Sequence, residues 1–199
     1  MKKEFVTAVL LLALGAPAAV VAATPQATPN QKKSDQKPTF AGVFDRSLSG
    51  MEGEIVPAAE AMPDDKFNFA PATSQGEFKG VRTFAQQVKH IAATNYMFGA
   101  GILGEKPPVD IGSENGPDSM TSKADVVKFL KDSFVYLHKA INSLSESNAM
   151  GEVQSPFGSN KITRLRLGLF AISHPWDHYG QMVEYLRMNN IIPPASRNQ

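Results

Sequence analysis

Cysteine is absent from the 199 residues. Disulfide bonds therefore cannot stabilise the chain, and it has neither a thiol nucleophile nor a thiolate metal ligand. The chain also has almost no excess of charge, since 20 Lys and Arg face 19 Asp and Glu. Such a balance predicts neither a nucleic acid nor an anionic membrane as partner. Histidine and carboxylate remain as the side chains for metal binding or proton transfer.

The N-terminus has the pattern of a bacterial secretory signal. Lys2 and Lys3 precede an apolar run over residues 5–21, and small side chains follow at Ala22 and Ala23. This pattern predicts a signal peptide over residues 1–23 and a protein exported to the periplasm or secreted. A retained membrane anchor is the alternative, because the run is just long enough to span a bilayer. Gly15 and Pro17 within it favour cleavage.

Loss of the leader would remove two lysines and one glutamate, leaving 18 basic and 18 acidic residues. We then expect no stable membrane association. Residues 24–38 are polar, contain three prolines and lack an apolar cluster, which predicts a disordered linker. The remaining residues, 39–195, are predicted to form one domain. A homodimer is left open.

Apolar residues recur at spacings of three and four along four segments, which predicts an all-α four-helix bundle. Three helices are expected at about residues 40–61, 81–103 and 122–144, with Pro57 kinking or ending the first early, and a fourth after Asn160 that carries an apolar stripe to Leu186. Ser122 is the expected N-cap of the third helix. No segment shows sustained alternation of apolar and polar residues, so no strand is predicted.

The fourth segment carries the most regular apolar stripe of the chain. Its members are Ile162, Leu165, Leu169, Ile172, Trp176, Tyr179, Val183 and Leu186. The stripe is predicted to face the core, and Leu169→Ala would then cost about 2–5 kcal/mol. Pro175 lacks an amide proton, so the helix is expected to kink or restart near Ser173.

Two of the four histidines, His174 and His178, are one helical turn apart and can reach one metal ion. They fall opposite the apolar stripe, on a face that is itself partly apolar. His90 lies in a narrow polar strip of the second helix, which suits either the wall of a cleft or a solvent face. From spacing alone, solvent-exposed or hydrogen-bonded histidines are the commoner outcome. His138 is interpreted as a surface residue with no partner at helical spacing.

Two groups of segments resemble the DinB-like superfamily of helical-bundle proteins. One comprises MPDDK at 62–66, FNFAP at 67–71 and RTFAQQVKH at 82–90; the other comprises HPWDHYGQ at 174–181 and YLRM at 185–188. The likeness covers about residues 40–195. It implies that His90, His174 and His178 bind a divalent metal in an open cleft. Three imidazoles suit zinc or nickel, with iron as an alternative, better than calcium or magnesium.

The resemblance implies a site more firmly than a reaction. One hypothesis is a metal-dependent hydrolase or transferase, which acts on a small molecule of unknown identity at an open coordination position. Some relatives are thiol-dependent transferases of the cytoplasm, an activity that export makes less applicable here. The alternative is a non-catalytic metal-binding or stress-associated module of the cell envelope. No general base is evident from the spacing of the residues. Asp177 and Tyr179 flank His178 and could orient it or carry protons. Gln181 is the candidate residue to support the metal-binding histidines without binding the ion itself.

Overall fold

Four α-helices dominate the structure, a computed structural model that describes residues 37–197. They are α1 (Phe40–Ala61), α2 (Phe84–Leu103), α3 (Lys123–Asn142) and α4 (Arg164–Met188). Short 3₁₀ turns lie at Asp64–Lys66, Thr73–Gln75 and Pro194–Ser196. The predicted leader and residues 24–36 of the predicted linker lie outside the described residues. None of the helices in residues 37–197 combines the length and apolarity needed to cross a membrane.

Side-chain caps define where the helices begin. Thr39, Thr83, Ser122 and Thr163 each accept a hydrogen bond from the backbone N–H three residues ahead. This satisfies one of the amide groups that a helix leaves unpaired at its N-terminus. Ser122 is thus the N-cap that the sequence predicts. The second helix begins at Phe84, three residues later than the expected Val81, and α1 continues through Pro57 to Ala61 rather than ending early.

Each helix packs on two others: α1 and α2 both lie against α3 and α4. This closed arrangement is the helical bundle that the sequence predicts. Its core includes six large side chains with no exposure: Leu48, Met51, Ile55, Phe84, Phe98 and Phe134. The second helix is the most enclosed, because residues on every side of it are buried. Its polar residues therefore lie inside the protein as well.

The prediction for the buried face of α4 holds only in part: Leu186 is buried, but four other members of the stripe on this helix are half-buried and two are exposed. Leu169 and Trp176, on the predicted core stripe, are 50% and 43% exposed. The buried residues of α4 are Leu167, Gly168, Ala171, Pro175, His178, Met182, Tyr185 and Leu186. Both faces repeat at helical spacing, so periodicity alone cannot choose between them. Small residues decide the packing: a Cβ at Gly168 would lie 3.2 Å from the Phe44 ring of α1. The histidines consequently lie on the inner face.

A two-stranded antiparallel hairpin links α3 to α4, contrary to the expectation of no strands. Strand β1 (Glu152–Gln154) pairs with β2 (Lys161–Thr163), with Val153 opposite Ile162. Each strand has three residues, with only the central one buried. Such a length is too short to show sustained alternation in the sequence. The hairpin ends at Thr163, which caps α4, so it is continuous with the helix that carries two histidines.

His138, predicted as a surface residue with no partner at helical spacing, is half-buried and contacts two residues of another helix. Its Nδ1 lies 2.6 Å from Oδ1 of Asp45, and its Nε2 lies 3.1 Å from Oε2 of Glu52. Both carboxylates belong to α1, so the imidazole joins α3 to α1. Asn142 strengthens the link by donating a hydrogen bond of 2.7 Å to Asp45. Burial opposes the charge on His138, but the hydrogen bonds and charges of Asp45 and Glu52 outweigh it and raise its pKa.

The raised pKa predicts that His138 stabilises the bundle more in acid than in alkali. The folded protein holds the imidazole proton more tightly than the unfolded chain, whose pKa is close to the ordinary 6.5. The contribution is therefore complete below about pH 6.5 and declines as the pH rises through the folded-state pKa. Urea unfolding of the wild type and His138→Gln at pH 6 and pH 8.5 measures the contribution of His138 to the free energy of unfolding. The loss of stability should be larger at pH 6; an equal loss would contradict the prediction.

Candidate metal centre

The inner face of α2 supplies the first histidine. Thr83 and Gln86 form a capping box at the start of this helix, since the Thr83 hydroxyl accepts from Gln86 N–H and the Gln86 side chain accepts from Thr83 N–H. The polar strip beyond it contains Gln87, His90 and Thr94, which are 1%, 6% and 6% exposed. The sequence left two environments open for His90, the wall of a cleft or a solvent face. Its low exposure excludes the solvent face. The strip faces α4.

The other two histidines lie one turn apart on α4. His178 is buried and His174 half-buried. The helix continues from Arg164 to Met188 through the buried Pro175, so it does not restart near Ser173 as expected. Proline removes one main-chain hydrogen bond, but flanking turns keep both histidines on one continuous helix.

The three imidazoles converge. Nε2 of His174 lies 3.3 Å from Nε2 of His90 and 3.2 Å from Nε2 of His178. The ligand atoms of all three lie within 4.8 Å of one another. Nitrogen ligands about 2.0–2.1 Å from a tetrahedral zinc ion stand roughly 3.3 Å apart. The spacing of the three rings is therefore one that could hold a metal ion.

Hydrogen bonds on the opposite ring nitrogens select the tautomers. Nδ1 of His178 lies 2.7 Å from Oε1 of Gln87, and Nδ1 of His90 contacts the backbone oxygen of Glu114. Both partners are acceptors, so both Nδ1 atoms carry the proton and donate it. The two Nε2 atoms are left as lone-pair donors that point at the cluster centre, which is the arrangement that metal-bound histidines need.

His174 shows that hydrogen bonding within the protein cannot satisfy this cluster. Its Nδ1 is buried and has no hydrogen-bond partner among the described residues. A proton on its Nε2 could serve only one of the two facing lone pairs, those of His90 and His178. At least one buried lone pair would then lack a partner, which carries a free-energy cost. A cation at the centre would satisfy all three donors, so the residues present fit a metal ion.

The site keeps its histidines neutral. Burial lowers the pKa of His174 to about 4, and the nearby His90 and Arg82 add to the effect. Burial likewise lowers the pKa of His178 to about 3, with His90 and His174 contributing. The pKa of His90 is also lowered, mainly by burial. Neutral imidazole is the form that binds a metal, so the lone pairs of His174 and His178 are available well below neutral pH.

A tight turn brings the Glu114 carbonyl to His90. Gly112 and Gly116 have positive φ angles of 62° and 74°, which suit glycine. A Cβ at Gly116 would lie 2.8 Å from the Lys89 side chain, so the turn lies directly on α2. The buried Lys89 ammonium donates to the backbone oxygens of Pro117 and Met120. Residues 112–120 are thereby held against the turn of α2 that carries His90.

Glu114 is among the residues that line the cleft beside His90 and His174. Its carboxylate forms an ion pair with Arg82 at 3.3 Å, and Arg82 also donates to Asn115 Oδ1 at 2.7 Å. Sequence reasoning missed Glu114, because it belongs to a loop and has no fixed spacing from any histidine. Gln87 was missed as a partner of His178, although it lies in the polar strip on α2.

The other candidate residues are further from the centre. Gln181 accepts a hydrogen bond of 2.7 Å from Gln87, so it supports His178 through that residue rather than directly. Asp177 is exposed and accepts from Gln181. Tyr179 points to α1, where it donates to Glu54. Burial and that contact raise the pKa of Tyr179 to about 12, so neither Asp177 nor Tyr179 is placed as a proton carrier in the cleft.

The cleft beside His90 and His174 has a volume of about 530 Å³. Its remaining wall is largely apolar and comes from three parts of the chain. Helix α2 contributes Met97 and Phe98, the loop before α3 contributes Ile111, and the hairpin contributes Pro156 and Phe157. The volume is in the range of small-molecule sites. Imidazole donors at one end and an apolar wall beside them can bind a metal ion together with a small organic molecule.

The chain is similar in sequence to one protein family and in fold to two solved structures. The sequence profile of the DinB superfamily matches residues 48–182, more than half of the chain. Two solved structures are similar in fold. A DinB-like protein from Bacillus cereus ATCC 10987 has a TM-score of 0.62 at 15% identity, over 80% of this chain and 98% of its own. A DinB-like protein, YjoA, from Bacillus subtilis has a TM-score of 0.57 at 19% identity, over 74% and 92%. No curated protein matches the sequence.

Proposed function

The chain belongs to the DinB superfamily, and from that membership and the geometry of its cluster we propose that it is a metal-dependent hydrolase or transferase. His90, His174 and His178 hold the ion, with zinc or nickel preferred and iron as the alternative. The observation that carries the proposal is the convergence of three Nε2 atoms at 3.2 and 3.3 Å. Because a signal peptide is predicted at the N-terminus, the proposal also places the protein in the periplasm or outside the cell.

The ion supplies Lewis-acid chemistry when bound, and an open zinc position lowers the pKa of water to about 7. The protein's own residues do the rest. Gln87 holds the His178 ring, with Gln181 behind it, and the Glu114 carbonyl holds the His90 ring. With their rings held in this way, His90, His174 and His178 would bind the ion, and a substrate would reach it from the cleft.

Glu114 is our candidate for proton transfer. Glu114 lines the cleft and its side chain is 85% exposed, so its carboxylate is accessible to a bound molecule. The ion pair with Arg82 restricts where the carboxylate can lie. Since Asp177 and Tyr179 make their contacts elsewhere, Glu114 is the carboxylate that this geometry favours as a general acid or base.

A substrate panel tests the proposal. Metal-free protein is reloaded with zinc, nickel or ferrous iron and assayed with esters, amides, phosphoesters and thiol-transfer substrates. We expect turnover that depends on the metal and falls in Glu114→Gln while stoichiometric metal binding is retained. Metal binding without turnover across the panel would favour the non-catalytic metal-binding or stress-associated module. Failure to bind any of the three metals would reject both functions.

A further inference from the structure

The aromatic wall of the cleft is continuous with the histidine cluster. Phe98 lies edge-on to His174, with ring centroids 5.7 Å apart and planes at 80°. On its other side Phe98 contacts Phe157, at 5.7 Å, and Phe157 contacts Phe170, at 5.4 Å. The three phenylalanines therefore form one surface that begins at a histidine and ends at the hairpin.

The three phenylalanine rings differ in their exposure to solvent, and this difference shows which ring can contact a bound molecule. Phe98 is fully buried, and Phe170 is half-buried. Phe157 is 59% exposed, although it lies at the turn of the hairpin directly beside the cleft. Leaving a large aromatic surface in water is unfavourable, and a flat apolar group against it would recover that free energy. Phe98 and Phe170 support Phe157, and Phe157 offers a free face.

The charges around the cleft limit the kind of molecule that fits. Of the described residues that line it, Glu114 alone carries a charged side chain, and Arg82 already neutralises it. No lysine or arginine among these lining residues offers a partner for a phosphate or carboxylate on the substrate. Binding an anion away from the metal would leave its charge unpaired in a largely apolar setting, which is costly. Neutral molecules avoid this cost.

We infer that the cleft selects a neutral aryl compound, whose ring lies against Phe157 while its polar group reaches the histidine cluster, and that Phe157 determines this selectivity. The inference rests on the proposed function and names its substrate class: aryl esters, amides or related acyl compounds. A volume of about 530 Å³ accommodates one ring and its polar substituent.

Two probes with the same polar head test the inference: benzohydroxamate, which has a ring, and acetohydroxamate, which has none. Both are titrated into zinc-loaded and metal-free protein, and binding is followed through the methyl NMR signals of Met97 and Ile111, which line the cleft. We expect benzohydroxamate to bind zinc-loaded protein at least about tenfold more tightly than acetohydroxamate, as an aromatic contact would provide. Phe157→Ala should remove most of this preference, and Phe157→Tyr should restore it.

Met150→Ala is the matched control, because Met150 is 69% exposed in the same connection between α3 and α4 but does not line the cleft. It should leave the preference unchanged. Equal binding of the two probes, or a preference that survives Phe157→Ala, would overturn the inference while leaving the metal site intact. If zinc does not bind, the proposed function fails, and the metal-free titration decides the inference separately. Benzohydroxamate that shifts neither Met97 nor Ile111 would then overturn it as well.

Discussion

His178→Ala is expected to lose stoichiometric binding of zinc and nickel. The substitution removes the most enclosed of the three imidazoles. The His178 residue is 5% exposed, and its Nδ1 lies 2.7 Å from Oε1 of Gln87. The remaining pair, His90 and His174, would be a much weaker chelate. Elemental analysis and isothermal titration of the purified variant measure the loss, and circular dichroism establishes that the helices are retained.

Two further substitutions make the result specific. Gln87→Ala should weaken metal binding by about 10–100-fold without abolishing it, as is typical when a partner of a ligand is removed. His138→Ala should leave metal binding intact, because its ring contacts Asp45 and Glu52 instead of the cluster. Stoichiometric zinc in His178→Ala would refute the three-histidine site, and equal losses in His178→Ala and His138→Ala would indicate generic affinity for histidine.

The pair Leu167→Ala and Leu169→Ala should differ strongly in stability. These leucines are two positions apart on α4, but Leu167 has no exposure whereas Leu169 is 50% exposed. Truncating Leu167 leaves a cavity where its Cδ1 meets Gly101 of α2, and should cost about 2–5 kcal/mol. Truncating Leu169 should cost about 1 kcal/mol or less.

Urea unfolding of both variants measures this difference under identical conditions. The same chemical change on the same helix cancels most effects on helix propensity and on the unfolded chain. A larger loss for Leu169→Ala would restore the face of α4 that the sequence suggested and would remove His174 and His178 from the interior. The comparison therefore tests the fold and the placement of the site together.

The sequence predicts the four helices well, because helix formation leaves local marks. Apolar residues at spacings of three and four identify each helix, and Ser122 marks the start of α3. Which face of α4 packs inwards is not local information. Leu169 and Trp176 belong to the more regular stripe, but Gly168 and Ala171 allow the closer approach between helices. Packing against the neighbouring helices decides which face of α4 turns inwards. A single sequence does not show how well each face would pack against those helices.

The histidine cluster could be anticipated only in part. Spacing links His174 to His178, whereas His90 joins them through the family resemblance and not through any pattern of its own. Glu114 could not be predicted, because a turn and the buried Lys89 bring it from a loop to α2. The hairpin with Phe157 has strands too short to produce a periodic signal.

The division of the centre between helices and loops has a consequence for how the protein can diversify. Helices fix the donors His90, His174 and His178, whereas the turn at Glu114 and the hairpin at Phe157 form the cleft's variable border. Substitutions in those two loops alter what enters without disturbing the packed interior or the coordinating atoms. If the proposed function holds, exchanging a few of these border residues would change the molecule that binds, while the helices would keep the three histidines in place.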